Sequence, residues 1–208
     1  MSRTIVYIDG LNFYYGAVRR TPYKWVDLGK LCRYLLPRNQ IVKIKYFTSR
    51  VLARPGEPDP PLRQQAYLRA LRTLPDFETH FGHFLSHRVR MPTADSRPGA
   101  PRFVDVIKTE EKGSDVNLAS HLLHDAHEGR FDVGVVVTND SDLVEPIRLV
   151  RQELGLPVGI LNPYPKPAVE IQRTASFIKP IRKGVLAASQ FADTLQDSSG
   201  MFFRPKAW

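Results

Sequence analysis

The chain has 208 residues, 42% of them hydrophobic and 25% charged, an ordinary globular composition that excludes a largely disordered polymer. Lysine and arginine number 30 against 21 acidic residues, and the resulting formal charge of +9 favours a polyanionic partner such as nucleic acid. Cys32 is the only cysteine, which excludes intramolecular disulfides and multi-cysteine zinc sites; no apolar run nears the roughly 20 residues of a membrane span, and MSRTIVYIDG carries no signal-peptide pattern, so a cytoplasmic protein is expected.

Thr4–Ile8 predicts a short buried strand ending in the Asp9-Gly10 turn. Asn12–Arg19 reads as helix, and so does Leu28–Leu36 up to Pro37, with Cys32 as a packing residue on it. Ile41–Phe47 alternates like a strand, and a proline-rich stretch from Pro55 to Pro61 leads into a helix over Leu62–Leu74. Phe77–Val89 is β-like, and Met91–Arg102, rich in proline, predicts a mobile loop. Ser114–Glu128 repeats Val116, Ala119, Leu122, Leu123 and Ala126 on one helical face, with Ser114 as N-cap and Gly129 as stop. Phe131–Val137 predicts a strand covered on both faces; a helix over Ser141–Leu154 and strands at Val158–Leu161 and Ala175–Ile181 follow. Beyond Asp197 periodicity fails, and Phe202, Phe203 and Trp208 predict that a tail, residues 191–208, packs on the body or on a partner subunit. The alternation of strand and helix argues for one α/β domain over residues 1–190, a three-layer sandwich around a mostly parallel sheet.

Ligands of open α/β sheets bind beyond the carboxyl ends of the strands. Asp9 and Asn12 follow the first strand; Asn139, Asp140, Ser141 and Asp142 follow Phe131–Val137. Asp115 sits in the first turn of its helix, within about 40° of Ala119 and Leu122 on the wheel, so it faces over the sheet. Acids from three distant segments thus converge on one sheet edge. Carboxylates without a counter-ion repel, and a hard divalent cation, Mg²⁺ or Mn²⁺, relieves this. Such an ion activates water and binds phosphodiester oxygens, so a basic protein with an acidic pocket matches a nuclease. Taken singly, each acid also has a structural reading: Asp9-Gly10 as a turn, Asp115 and Asp140-Ser141-Asp142 as helix caps.

The motifs IDGLN at 8–12, KGSDVNLA at 112–119 and VVTNDSDL at 136–143, in that order, resemble the NYN-domain family in its LabA-like (DUF88) branch, and the closing GMFFRPKAW resembles that family's usual ending. The resemblance, over about residues 3–180, implies a PIN-like fold with a Rossmann-type sheet and a relation to metal-dependent ribonucleases. It implies that Asp9, Asp115, Asp140 and Asp142 hold the metal, that Asn12 orients the first aspartate or the scissile phosphate, and that Lys112 contacts the phosphate. Asn139 stands where family members commonly have Ser or Gly. Asn139 and Ser141 are counted with the candidate nucleic-acid contacts.

Tyr14 and Tyr15 are placed to stack on bases or to pack in the core. Arg88, Arg90, Arg97 and Arg102 flank the 91–102 loop near Lys108 and Lys112, where they clamp a phosphate backbone or simply stay solvated. His121, His124 and His127 read as a solvated helix face, because His124 lies about 180° from Asp115. His80, His83 and His87 read as surface or packing residues. Serine-hydrolase, P-loop and GxGxxG signatures are absent, and Leu11 stands where an aspartyl-nucleophile phosphatase needs its second acid. The expected function is a Mg²⁺- or Mn²⁺-dependent ribonuclease preferring RNA over DNA, with homodimerisation open. The alternatives are a non-catalytic nucleic-acid-binding regulatory module on the same fold and, third, an acid phosphatase or nucleotide hydrolase.

Overall fold

The computed structural model describes residues 1–208 apart from 54, 55, 57, 96, 98 and 100. Its central strand β1 (Ser2–Asp9) is buried from Thr4 onward. Side chains alternate across a strand, so Val6 and Ile8 enter one core cluster while Ile5 and Tyr7 enter the other, and the sheet is covered on both faces. After β1 come α1 (Gly10–Phe13), a π-turn (Tyr14–Val18), α2 (Leu28–Leu35), β2 (Asn39–Ser49), α3 (Asp59–Leu71), β3 (Phe77–Pro92) and β4 (Phe103–Lys112). The second half runs α4 (Ser114–His127), β5 (Val133–Val137), a 3₁₀ turn (Ser141–Leu143), α5 (Val144–Gln152), β6 (Val158–Asn162), α6 (Val169–Thr174), β7 (Phe177–Pro180) and α7 (Lys183–Ala188). A hairpin of β8 (Thr194–Asp197) and β9 (Gly200–Phe203) closes it.

The seven strands of the main sheet are ordered β4-β3-β2-β1-β5-β6-β7, all neighbours parallel except β3 and β4. The chain therefore builds outward from β1 through β2 and β3, then returns over the sheet along α4 to begin the other half with β5. The boundary between β1 and β5 is where the strand order reverses, the usual place for a ligand in an open α/β sheet.

The expected three-layer architecture with a mostly parallel sheet is present, and the differences are local. Phe103–Lys112 is a strand, which the sequence reading left unassigned; it pairs antiparallel with His83–Pro92 to form an arm. Met91 and Pro92 accordingly belong to β3 rather than to the loop, while positions 96, 98 and 100 of that loop, and Pro55 of the proline-rich stretch, lie outside the described residues. The helix expected over Asn12–Arg19 is one α-turn followed by a π-turn. Gly113, at φ 94°, is the N-cap of α4 instead of Ser114, because only glycine holds that left-handed geometry cheaply. Val116 is 68% exposed; the buried stripe of α4 runs through Leu118, Leu122, Asp125 and Ala126. At the C-terminus Phe202 is buried and Trp208 packs edge-on to Trp25 and Tyr67, whereas Phe203 is exposed.

One face of the sheet holds a buried ion pair. Lys45 Nζ on β2 lies 2.6 Å from Asp125 Oδ2 on α4; the Tyr7 hydroxyl donates to the same oxygen at 2.7 Å and Arg130 Nη1 to Oδ1 at 2.9 Å. These donors hold the Asp125 carboxyl below the usual carboxylate range despite its burial. Removing only the acid strands a buried ammonium. Asp125→Ala is expected to cost about 3–5 kcal/mol in urea unfolding, and Lys45→Met combined with Asp125→Leu to recover a large part of that loss.

Candidate functional site

The carboxyl ends of β1 and β5 are tied together by two hydrogen-bond chains. Asp9, last residue of β1, caps α1 by accepting the Asn12 N–H at 2.9 Å, and its other oxygen accepts the Thr138 hydroxyl at 3.2 Å. The Thr138 oxygen in turn accepts the Asp140 N–H at 3.1 Å, and Asp140 Oδ1 accepts the Asp142 N–H at 3.0 Å. Asn12 Oδ1 accepts the Asn139 N–H at 2.9 Å, so this side chain braces the two turns against each other. Gly10 is required beside them: a Cβ there would stand 2.5 Å from Tyr46 Cζ and 2.7 Å from the Phe47 carbonyl oxygen.

Asp9, Asp115 and Asp140 open into one cavity of about 250 Å³ with Asn12, Tyr15, Glu111 and Tyr164. Asp9 is 4% exposed. Burial, opposed by its hydrogen bonds but reinforced by the charges of Asp115 and Asp140, pushes its carboxyl up to about 7. Asp115 is pushed up to about 6 by burial and by repulsion from Asp140, Glu111 and Asp142. Asp142 lies outside the lining, exposed on the 3₁₀ turn with Ser141, and acts on the cavity through its charge.

The other expected contacts spread outward. Lys112 is exposed, 3.6 Å from Glu110 and outside the cavity lining. Asn139 is held by the segment between β6 and α6: its Oδ1 accepts the Ala168 N–H and its Nδ2 donates to the Lys166 carbonyl. Arg88 pairs with Asp105 and Arg90 lies over Phe103, both on the β3–β4 arm. Tyr14 and Tyr15 part company: Tyr14 packs on the core while Tyr15 is 53% exposed. Of the histidines, His124 and His127 are exposed, but His121, expected on the same solvated face, is partly buried, 3.4 Å from Lys45 Nζ, with its ring tilted against His80 at 4.1 Å.

Sequence reasoning missed Glu111 and Tyr164. Glu111 ends β4 and accepts the Ser49 hydroxyl at 2.6 Å, the Ser114 N–H at 3.2 Å and the Ser114 hydroxyl at 2.7 Å, so it fixes the start of α4 beside the cavity. Its signal was an acid three residues before the helix start. Tyr164 lies just beyond the carboxyl end of β6, a strand end from which the sequence reading drew no candidate.

All the donors are oxygens, the kind a hard divalent cation takes, and the repulsion that raises Asp9 and Asp115 is what such a cation would remove. Among the described residues no three His, Cys, Asp or Glu side chains are gathered tightly enough to enclose a metal as they stand. A second cavity of about 540 Å³ adjoins the acidic one, sharing Leu11 and Tyr15; it is lined by rings, Tyr14, Tyr46, Tyr67, Phe84 and Trp208 among them.

An α/β sandwich of PIN-like type, with an acid cavity at the reversal of its strand order, is the class that fold and site define. The NYN domain model matches residues 3–182, and the chain belongs to the NYN-domain family. It is 35% identical to 6-hydroxy-3-succinoylpyridine 3-monooxygenase HspA of Pseudomonas putida, over an alignment covering 77% of this chain and 59% of that protein. The chain therefore spans about three-fifths of the length of this curated relative. Among solved structures it is similar to a protein of unknown function from Vibrio parahaemolyticus, with a TM-score of 0.57, 16% identity, and coverage of 88% of this chain and 94% of that one; this likeness is one of fold alone. Among the described residues no helix is long and apolar enough to cross a membrane.

The Asp9 carboxyl has a directional effect on stability. Its folded value of about 7 lies above the ordinary 3.8, so the folded state binds the extra proton and metal-free stability falls as pH rises across that window. Asp9→Asn is expected to unfold later than wild type at pH 8 in EDTA, by roughly 1–3 kcal/mol, with the gain shrinking toward pH 4. Thermal melts of both proteins across the range check it.

Proposed function

We propose that this protein is a Mg²⁺- or Mn²⁺-dependent nuclease that hydrolyses phosphodiester bonds, with RNA preferred over DNA. The observation that carries this reading is the acid cavity, where carboxylates from three separate elements face one another and two of them are raised by burial and repulsion to about 7 and about 6. Capping alone explains Asp9 and Asp140, but the Asp115 side chain makes no hydrogen bond among the described residues and caps nothing. The NYN family's relation to metal-dependent ribonucleases and the charge of +9 point the same way.

In this reading Asp9, Asp115 and Asp140 would hold the cation, with Asp142 adding charge from outside the lining. When bound, the ion supplies Lewis-acid stabilisation of the charge developing on the phosphate and lowers the pKa of water. Asp9 is the fixed member, clamped by the Asn12 N–H and the Thr138 hydroxyl. Asp115 is the free one, able to turn toward the cation or accept the proton of the attacking water. Strand alternation puts Arg88 and Arg90 on the same face of the arm as Phe84, but Glu111 and Asp105 share that face, so the cations that would meet a strand passing the acids are Arg19, Lys24 and Arg63 of the ring cavity.

The ring cavity favours a second reading, in which the chain acts, as the name of its Pseudomonas relative says of that protein, on a succinoyl-substituted hydroxypyridine. The two readings separate directly. End-labelled RNA and DNA incubated with Mg²⁺, Mn²⁺ or EDTA are expected to show metal-dependent cutting of RNA, reduced at least about 100-fold by Asp115→Asn with RNA binding retained. Salt-sensitive binding without cutting, by both proteins, would instead indicate a binding module, and consumption of the hydroxypyridine without cutting would favour the second reading.

A further inference from the structure

We infer that the ring-lined cavity is a binding site for a planar aromatic ring carrying an anionic arm. The inference needs no metal and no cleavage, so it stands apart from the nuclease reading, and it deepens the second reading by naming the ligand class of the same cavity. It rests on the contrast between two adjoining spaces. The smaller one is lined by Asp9, Asp115, Asp140 and Glu111. The larger has Arg19, Lys24 and Arg63 on its wall and, among the described residues, no acidic side chain. A neutral aromatic would leave those cations unused, and an anion without a ring would leave the apolar wall wet.

The wall is made for a flat ligand. Tyr46 and Tyr67 are nearly fully buried and give the inner surface, and Trp208 stands 5.7 Å from Tyr67, edge to face. Their positions do not depend on a ligand: the Tyr67 hydroxyl donates to the Val26 carbonyl at 2.9 Å, and Trp208 also packs on Trp25. Tyr15 is the outer, solvent-facing ring, with the Arg19 guanidinium 5.1 Å above its centroid. Neither Arg19 nor Lys24 has a carboxylate partner among the described residues, whereas Arg63 is 3.6 Å from Asp59. A volume of about 540 Å³ lies within the range of small-molecule sites. Stacking on aromatic faces and charge-assisted contact to a carboxylate or phosphate are both available at once. Leu11 and Tyr15 belong to both walls, so a ligand there lies next to the acids.

Two sources share this chemistry: a nucleotide of a polynucleotide strand, and a free aromatic acid. Calorimetric titration in EDTA with uridine 5′-monophosphate, uridine and pyridine-3-carboxylate distinguishes them. Tyr15→Ala and Arg19→Gln alter exposed side chains and leave the core rings in place. Binding of the nucleotide at least about fivefold tighter than the nucleoside, with that advantage lost in Arg19→Gln and all binding weakened in Tyr15→Ala, assigns the site to a nucleotide. Binding of the pyridine acid alone, with the same dependence on Tyr15 and Arg19, assigns it to a free aromatic acid. No binding of any probe up to 10 mM, or binding that both variants leave unchanged, overturns the inference. Because no metal is present and no cutting is read, a failure of the nuclease reading leaves this outcome unaffected.

Discussion

Like charges packed at a buried sheet edge drive each other apart, and in this protein they are kept together by neutral hydrogen bonds. The Thr138 hydroxyl joins Asp9 to the Asp140 N–H, and the Asn12 amide oxygen holds the Asn139 N–H. Each link is worth little alone, about 1 kcal/mol net, but both cross the same boundary between β1 and β5. That boundary is also where the strand order reverses, so the crevice and the clamp that shapes it have one origin in topology. The paired turns position the acids, and the start of α4, fixed by Glu111, brings Asp115 to meet them.

Much of this was legible in the chain because it depends on local pattern. Short apolar runs marked β1, β5 and β6; the rule that ligands lie beyond strand ends led to Asp9 and Asp140, and helical phase led to Asp115, without reference to side-chain contacts. What escaped depends on distant partners. Phe103–Lys112 does alternate, but as half of an arm exposed on both faces it lacks the apolar density by which the central strands announce themselves. Val116 comes near Ala119 and Leu123 by spacing, yet on the wheel it lies about 120° from Leu122 and so falls outside the stripe of Leu118, Leu122, Asp125 and Ala126 that is buried. His121 reads as part of a solvated helix face until folding brings α4 over β2, where Lys45 meets both it and Asp125.

The two adjoining cavities divide the chemistry of the molecule by sign. Acids occupy the space at the end of the parallel sheet, while the neighbouring space is built from rings and cations supplied by the first turns after β1, by β2 and α3, and by Trp208. Arg19, Lys24 and Arg63 thus stand to one side of a locally negative centre. A polyanion approaching such a surface is oriented by it, drawn to the cationic side and met by the carboxylates only at close range.

Gly10 has a mechanical consequence. Its Cα lies so close to the Tyr46 ring that no side chain fits between them, and it is bonded directly to Asp9. Tyr46 is a wall of the ring cavity and Asp9 a wall of the acidic one. A side chain added at position 10 would push on the tyrosine ring and on the turn that carries the carboxylate at once, so one substitution there would disturb both cavities. Any energetic coupling that arises through this contact runs equally in both directions, as linkage demands of two sites joined by a single rigid element.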